Sequence, residues 1–301
     1  MLPLKYYIQK PSLIMLGLLT RLNFLFPDKL YLKLLYRLKL GRKLDLNNPK
    51  RFTEKLQWLK LYDRKPLYTK LVDKAEVKKY VTDTIGKEYV IPTLGVWNNP
   101  EDIDWDSLPN RFILKTTHGG GGTGVVICAD KSQFDKEKAV ETLRKSMKSN
   151  IYASLREWPY KNVPHRIIAE QLLDKDPLYD DVPDYKFYCF NGVPKVMLIA
   201  TNRFTDHNFN YYDMEFKKLN ITSSAGNNAA IEFSKPSHFE EMKSVSSKLS
   251  QGFSHMRVDL YYSNNRIFFG ELTFYDSSGF DNLSSDRNDL EWGSWMELPK
   301  K

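Results

Sequence analysis

Two stretches hold the residue types best suited to chemistry. The first is His118-Gly119-Gly120-Gly121-Gly122-Thr123-Gly124, which joins the apolar, β-branched runs Arg111 to Thr117 and Val125 to Cys128. Consecutive glycines lack Cβ atoms, so backbone N–H groups can close on an anion, and such runs cradle phosphates. No Lys-Ser or Lys-Thr follows the glycines and no helical pattern opens there, which excludes a Walker loop and a Rossmann turn. A glycine-rich loop between two strands reads as a flap over a nucleotide; the plain alternative is a hairpin tip with no ligand. Lys115, on the strand entering the loop, would set an ammonium against the phosphates. His118 is either a phosphate or substrate contact or a turn residue.

The second stretch is built on carboxylates. Asp259 interrupts the apolar run Met256 to Tyr262, and Glu271 holds a similar place in Ile267 to Phe274. Two carboxylates facing each other in a sheet repel unless a cation lies between them. Oxygen-only ligands favour Mg²⁺, which also binds nucleotide phosphates. Thr273 shares a strand face with Glu271 and adds a neutral oxygen, while Arg257 shares a face with Asp259 and suits the charge of a transferred phosphoryl group. The alternative is an Arg–Asp–Glu ion-pair cluster at a strand edge. Asp184 and Lys186 alternate with Tyr185 and so share a face, and Glu170 lies inside the apolar run Ile167 to Leu173. Lys74, Lys78 and Lys79 form a charge run of the kind that is usually a solvated face. The five histidines have no metal-ligand spacing, and neither a Gly-x-Ser-x-Gly elbow nor a Cys–His pair suggests a covalent nucleophile.

These residues need a scaffold of mixed helices and strands. Phe52, Leu56, Trp58, Leu59 and Tyr62 recur at helical spacing up to Asp63-Arg64-Lys65-Pro66, and one further helix is expected from Tyr68 through Val81 to Gly86. Strands are expected at Tyr89 to Trp97, Arg111 to Thr117, Val125 to Cys128, Arg166 to Leu173 and Asp184 to Phe190. Asn191-Gly192 predicts a hairpin into Lys195 to Ala200, and Asn264-Asn265 a turn between the two carboxylate strands. Helices are expected near Phe134 to Lys148 and His238 to Gly252.

Charge separates the chain into two parts. The net charge is +8, yet residues 1–48 carry nine basic residues against Asp28 and Asp45, a net of +7, which leaves +1 for residues 49–301. A near-neutral body argues against a broad nucleic-acid footprint, so no nucleic-acid partner is expected. The run Leu13 to Leu19 is interrupted by Arg21 and falls short of the ~20 apolar residues of a membrane span. Asp28 to Lys43 mixes Leu and Tyr with Lys and Arg, which suits either a helix lying on an anionic membrane surface or a helical hairpin packed on the body. Cys128 and Cys189 lie in apolar runs and read as buried thiols in a reducing compartment.

In order and spacing, the stretches RFTEKLQWLKLYDR, LVDKAEVKKYV, IPTLGVW, LPNRFILKTTHGGGG, RIIAEQLL, DYKFYCFNG, MRVDLYY and FFGELTFYDSSGF resemble the TupA-like branch of the ATP-grasp superfamily over roughly residues 50–290. That branch is associated with teichuronopeptide and surface-polysaccharide biosynthesis. The resemblance implies an α+β ATP-grasp fold, two α+β lobes clasping ATP, preceded by an N-terminal helical segment. Residues 1–48, the helical segment, lie outside the resemblance, and 49–301 read as the catalytic region, with a glycine-loop lobe at about 90–165 and a metal-binding lobe at 166–301. The resemblance also implies that Lys74 and Lys115 grip the phosphates beneath Gly119, Gly120, Gly121 and Gly122, that Glu170 and the backbone near Leu173 meet adenine, and that Asp184 meets ribose. Lys186 falls where relatives use a lysine for phosphate or substrate. Arg257, Asp259, Glu271 and Thr273 fall on Arg-x-Asp and Glu-x-Asn positions, with Thr273 replacing the usual Asn, which puts a second Mg²⁺ in doubt. The implied activity is Mg²⁺- and ATP-dependent carboxylate–amine ligation through an acyl phosphate. A uronic acid or amino-acid-bearing glycan precursor and an amine are the implied partners. The basic, lipophilic N-terminus, outside the resemblance, adds an expected peripheral membrane contact through residues 1–43, so the enzyme is expected in the cytoplasm at the inner membrane face. A kinase of a glycan hydroxyl, a glycosyltransferase using one of the Asp-x-Asp triplets, and a nucleotide-binding module without catalysis are the alternatives.

Overall fold

The computed structural model describes residues 11–120, 122, 124–175, 181–201, 208–222, 227–228, 232–281 and 283–300 of the chain. Its first helices, α1 (Pro11–Arg21) and α2 (Asp28–Leu40), are joined by a short 3-10 turn. α2 buries Tyr31, Leu32, Leu35 and Tyr36 and turns Lys29, Leu30, Lys33 and Leu34 outward, a division of faces that follows the helical period. Tyr36 shares a hydrogen bond with Thr53, and Asp28 receives Arg64 at 2.7 Å and Arg156 at 3.0 Å, so this helix is docked on the body. α1 buries Leu19 but leaves Leu13, Ile14, Met15 and Leu18 exposed, followed by exposed Leu22, Phe24 and Leu25. Among the described residues no helix is long and apolar enough to cross a membrane.

α3 (Phe52–Tyr62) starts at a capping box, where the Glu54 carboxylate accepts from the backbone N–H groups of Lys50 (3.0 Å) and Arg51 (3.1 Å). The single helix expected from Tyr68 to Gly86 is in fact two, α4 (Pro66–Val72) and α5 (Val77–Ile85). Asp73 makes the break: its carboxylate accepts from the N–H groups of Ala75 (2.8 Å) and Glu76 (3.2 Å), which is N-cap chemistry, and from Arg166 at 2.9 Å. Periodicity continued through the break because Leu71, Val72, Val77 and Val81 all face one core.

Two sheets follow, each antiparallel along its main strand order, with one short parallel pair at the edge of the second. The first contains β1 (Thr93–Trp97), β2 (Phe112–Thr116), β3 (Val125–Cys128) and β4 (Ile167–Gln171) in the order β1-β4-β2-β3. One face packs Phe112, Leu114, Ile167 and Ala169 with Leu143 of α6 (Lys136–Met147), the helix that precedes the short α7 (Ile151–Leu155). The opposite face carries Ile113, Lys115, Ile168 and Glu170. β4 lies between β1 and β2, so residues Ile167–Gln171 complete the first sheet, beside the strands that flank the glycine loop.

The second sheet has the order β11-β10-β5-β6-β7-β8, with β9 (Asn227–Asn228) beside β7. Its strands are β5 (Asp184–Phe190), β6 (Val193–Thr201), β7 (Asn208–Tyr212), β8 (Lys218–Leu219), β10 (His255–Ser263) and β11 (Arg266–Thr273). Phe187 and Cys189 face α8 (Phe239–Leu249). Tyr188 and Phe190 face Phe52 and Trp292 of α9 (Asp286–Trp295). The hairpin turns are as expected: Asn191 and Gly192 have φ of 49° and 80°, and Asn264 and Asn265 have φ of 50° and 60°. Both cysteines are free and buried.

One detail of β11 decides where the site lies. From the Asn264-Asn265 turn, Tyr262 pairs with Ile267 and Leu260 with Phe269, a register that would put Asp259 opposite Gly270 and Glu271 opposite core-facing Val258. Gly270 instead forms a bulge, and beyond it Asp259 pairs with Glu271 and Arg257 with Thr273. A Cβ at Gly270 would come within 3.0 Å of the Asp259 carbonyl oxygen.

Candidate active site

The register of the second sheet gathers the carboxylate group. Asp259 pairs with Lys186 on one side and Glu271 on the other, and Tyr261 pairs with Asp184. Arg257 binds Asp259 through both nitrogens, Nε to Oδ1 and Nη2 to Oδ2, each at 2.7 Å. Its Nη2 also reaches Glu271 Oε1 at 3.1 Å, and its Nη1 donates to Asp276. Lys186 lies 2.6 Å from Asp259 and 2.9 Å from Asp184. Burial alone would raise Asp259, but Arg257 and Lys186 hold it at about 2. The cation between the two facing carboxylates is thus the Arg257 guanidinium, the ion-pair cluster that the residues alone left open.

That arrangement bears on Mg²⁺. Asp259 is enclosed, with both oxygens engaged, whereas the Glu271 side chain is 37% exposed. Glu271 Oε1 accepts weakly from the Thr273 hydroxyl at 3.5 Å, and its Oε2 lies 3.9 Å from Lys74. No three His, Cys, Asp or Glu side chains converge as a cage among the described residues. The donor set is all oxygen, the chemistry of a hard cation, and its open side is that of Glu271 and Thr273.

The first lobe supplies cations. Lys115 donates to Glu170 at 2.8 Å, and Lys78 pairs with the other Glu170 oxygen at 2.5 Å. Burial pulls Lys115 down, yet Glu170 carries it up to about 12, while Lys78 is lowered by burial and by the neighbouring Lys115 charge, with Glu170 opposing them. Lys78 is therefore not the solvated charge expected; it also donates to Ile91 O and Thr93 Oγ1, and only Lys79 remains exposed. Lys74 sits in the break between α4 and α5, its backbone N–H bound to Thr117 O at 3.0 Å. Its ammonium donates to the Gly119 carbonyl and faces Glu271, spanning from the glycine loop to the second sheet.

The remaining expected residues are placed as follows. His118 is buried, stacked on His165 with ring centroids 3.6 Å apart, and burial together with His165 brings it down to about 4, a neutral imidazole beneath the loop. Gly119, Gly120 and Gly122 are described; Gly121 lies outside the described residues. Leu173 lies just past the end of β4, half-buried. Asp174, of the triplet that a sugar-nucleotide site would use, is engaged by Arg111 at 2.7 Å and Asn264 at 2.8 Å. Sequence reasoning missed Lys78, Asp276 and the Gly270 bulge. The polar break Tyr275-Asp276-Ser277-Ser278 after an apolar strand was the available signal for Asp276.

With both lobes described, comparison with known proteins becomes decisive. A family model described as TupA-like ATPgrasp matches residues 54–297. The chain belongs to the TupA-like ATP-grasp family. It is accordingly an ATP-grasp enzyme, in keeping with the ATP-dependent ligase class that its motifs imply, and its α+β fold is the one expected. No curated protein matches it in sequence. Among solved structures, a D-alanine–D-alanine ligase of Helicobacter pylori is similar at 14% identity and a TM-score of 0.46, over 83% of this chain and 70% of that one. A D-alanine–D-alanine ligase of Bacillus anthracis is similar at 16% and 0.41, over 68% and 57%. D-cycloserine synthetase DcsG is similar at 15% and 0.45, over 76% and 70%. The chain thus spans less than two thirds of the B. anthracis ligase. In this TupA-like ATP-grasp protein the family match takes in α3 to α9 and both sheets, and leaves α1 and α2 outside.

Proposed function

We propose that this protein is an ATP- and Mg²⁺-dependent carboxylate–amine ligase of glycan biosynthesis. The observation that carries the reading is Lys74, which touches the glycine loop on one side and faces Glu271 on the other, so that phosphate-binding and carboxylate elements meet at one point. Lys74 and Lys115 bind the polyphosphate, the backbone from Gly119 to Gly122 covers it, Glu170 and Leu173 border the base, and Asp184 borders the ribose. His118 supports the loop from below. Arg257 and Lys186 neutralise charge on the phosphoryl group as a substrate carboxylate oxygen takes it from ATP, the bond to the β-phosphate oxygen breaking, to give an acyl phosphate and ADP. An amine then attacks the acyl carbon and phosphate leaves, which forms the amide. Asp259, Glu271 and Thr273 would hold Mg²⁺, whose contribution when bound is to neutralise phosphate oxygens.

The catalytic region in this proposal is 49–301 and the N-terminal element is 1–48. The acid is a uronic acid or an amino-acid-bearing precursor of a capsule, exopolysaccharide or cell-wall glycan. The enzyme works at the inner face of the cytoplasmic membrane, which it meets through α1 and the turn after it. Supporting this are the exposed Leu13, Ile14, Met15, Leu18, Phe24 and Leu25 next to exposed Arg21, Lys29 and Lys33, an apolar face with a basic rim.

Hydroxylamine trapping tests the chemistry. With Mg-ATP and a set of uronic and amino acids, a hydroxamate is expected, together with ADP release that Glu271→Gln abolishes while the far-ultraviolet circular dichroism is unchanged. A stable phosphoester in place of the hydroxamate would make the enzyme a kinase, and unchanged turnover in Glu271→Gln would remove that residue from the site.

A further inference from the structure

The motif Arg51 to Arg64 contributes no residue to the site just described, yet it carries two wholly buried polar side chains, Gln57 and Lys60, one turn apart on α3. A core position that only needs filling takes an aliphatic side chain, and a buried ammonium is costly unless something needs its donors. The buried Glu157 is the nearest counter-charge of Lys60, opposing its lowering by burial, but among the described residues no carboxylate makes a direct ion pair with Lys60, and Glu157 bonds the Ser278 side chain. The Lys60 ammonium instead donates to Ser278 O (2.8 Å), Ser278 Oγ (2.7 Å) and Leu155 O (2.9 Å). Gln57 Nε2 lies 3.0 Å from both Ser278 O and Gly279 O. Two side chains of one helix thus converge on two consecutive carbonyls.

Those carbonyls belong to an unusual turn. Ser277, Ser278 and Gly279 have φ of 47°, 54° and 67°, three successive left-handed residues of which only the last is glycine. L-residues rarely adopt that conformation, and it persists only where the surroundings over-determine it. Within the turn the backbone offers Ser278 N–H to Tyr275 O and Phe280 N–H to Ser277 O; the outward carbonyls are held by α3. The turn begins at Asp276, the carboxylate that receives Arg257 Nη1. A continuous chain of contacts therefore runs from α3 through the turn to the guanidinium that grips Asp259 and Glu271.

We infer that Gln57 and Lys60 are positioning residues: they hold the left-handed turn 277–279, and with it Asp276, so that Arg257 stays aimed across the carboxylate face. The inference rests on that face being the phosphoryl-transfer site. Lys60→Met keeps the buried length and removes all three hydrogen bonds. In Mg-ATP turnover with the hydroxylamine trap, kcat is expected to fall about tenfold or more, with KM for ATP within about twofold, because a displaced group costs rate more than ground-state binding. Adding Ser277→Gly and Ser278→Gly to Lys60→Met lets the turn form without steric cost, so kcat should recover while the lowered melting temperature does not. A filler role for Lys60 predicts the reverse, stability and activity moving together. If Lys60→Met does not fold, Gln57→Met removes the bonds to Ser278 O and Gly279 O and should give the same split between kcat and KM. Wild-type kcat in either folded variant, or no recovery with the glycines, overturns the inference. A wild-type chain inactive on ATP would instead defeat the ligase reading; the crystal structure of the variant then decides, with φ at Ser277 and Ser278 leaving the left-handed region if the inference holds and staying there if it does not.

Discussion

Replacing Glu170 by Gln tests whether the lysine clamp of the first lobe is as strongly coupled as its geometry requires. The Glu170 side chain is 6% exposed and its two partners 14% each, so the three charges sit largely out of water. Lys78 would keep Ile91 O and Thr93 Oγ1 as acceptors, whereas the hydrogen bond of Lys115 is to Glu170, so the loss falls mainly on Lys115. Removing one partner of a buried ion pair costs ~3–5 kcal/mol, and the retained amide oxygen places this change near ~3 kcal/mol. With an unfolding entropy of roughly 2 cal/mol/K per residue, a chain of this length would melt about 5 °C lower. Lys115→Met should cost only about 1 kcal/mol, because Glu170 keeps Lys78, and the double variant about 2 kcal/mol, because the ammonium it leaves, Lys78, still has Ile91 O and Thr93 Oγ1 as acceptors. Urea unfolding of the four proteins closes the cycle, with an expected coupling of about 2 kcal/mol. Additivity of the two single changes to within ~0.5 kcal/mol would refute the argument, since it would mean that the lysine is satisfied elsewhere.

Two other outcomes follow from the described residues. His255 is buried against Phe52 and Phe190 with Nδ1 on Cys189 O, and burial lowers it to about 3 from an ordinary 6.5. The folded chain thus keeps the imidazole neutral while the unfolded chain takes a proton below that ordinary value, so stability is intact above it and falls as the pH drops. From His255 alone about 2 kcal/mol should be lost by roughly pH 5, and urea midpoints of His255→Phe should lack that share; an identical pH slope in the variant would contradict it. For the N-terminal element, Leu18→Glu with Phe24→Glu should abolish co-sedimentation with vesicles containing phosphatidylglycerol, while wild-type binding weakens with salt. Undiminished binding by the double variant would assign the contact to another surface.

Much of the fold was legible because its signals are local. Asn191-Gly192 and Asn264-Asn265 announce two-residue turns through their tolerance of positive φ, and alternation in β5 and β10 separates Lys186 and Asp259 from Phe187 and Val258. What was not legible depends on partners far along the chain. The helical period carries through Asp73, because the apolar face is shared by α4 and α5; only the cap formed by its carboxylate ends one helix and starts the next. Lys78 reads as one of several surface lysines until Glu170, some ninety residues on, is brought over it. Likewise β4 follows a long excursion through α6, and its insertion between β1 and β2 is settled by apolar faces that many strand orders would satisfy.

The Gly270 bulge bears on how such chains can change over generations. Straightening β11 with residue 270 retained would leave the hairpin, its turn and the sheet in place, yet rotate every later position of the strand by one pleat, turning the Glu271 carboxylate toward Val258 and sending Leu272 to the charged face. Deleting Gly270 would instead set Glu271 opposite Asp259 in a regular ladder, because the extra residue and the bulge cancel each other. Lineages of this fold should therefore gain or lose the residue and the bulge together. A relative that changed one without the other would have kept the architecture and surrendered the chemistry.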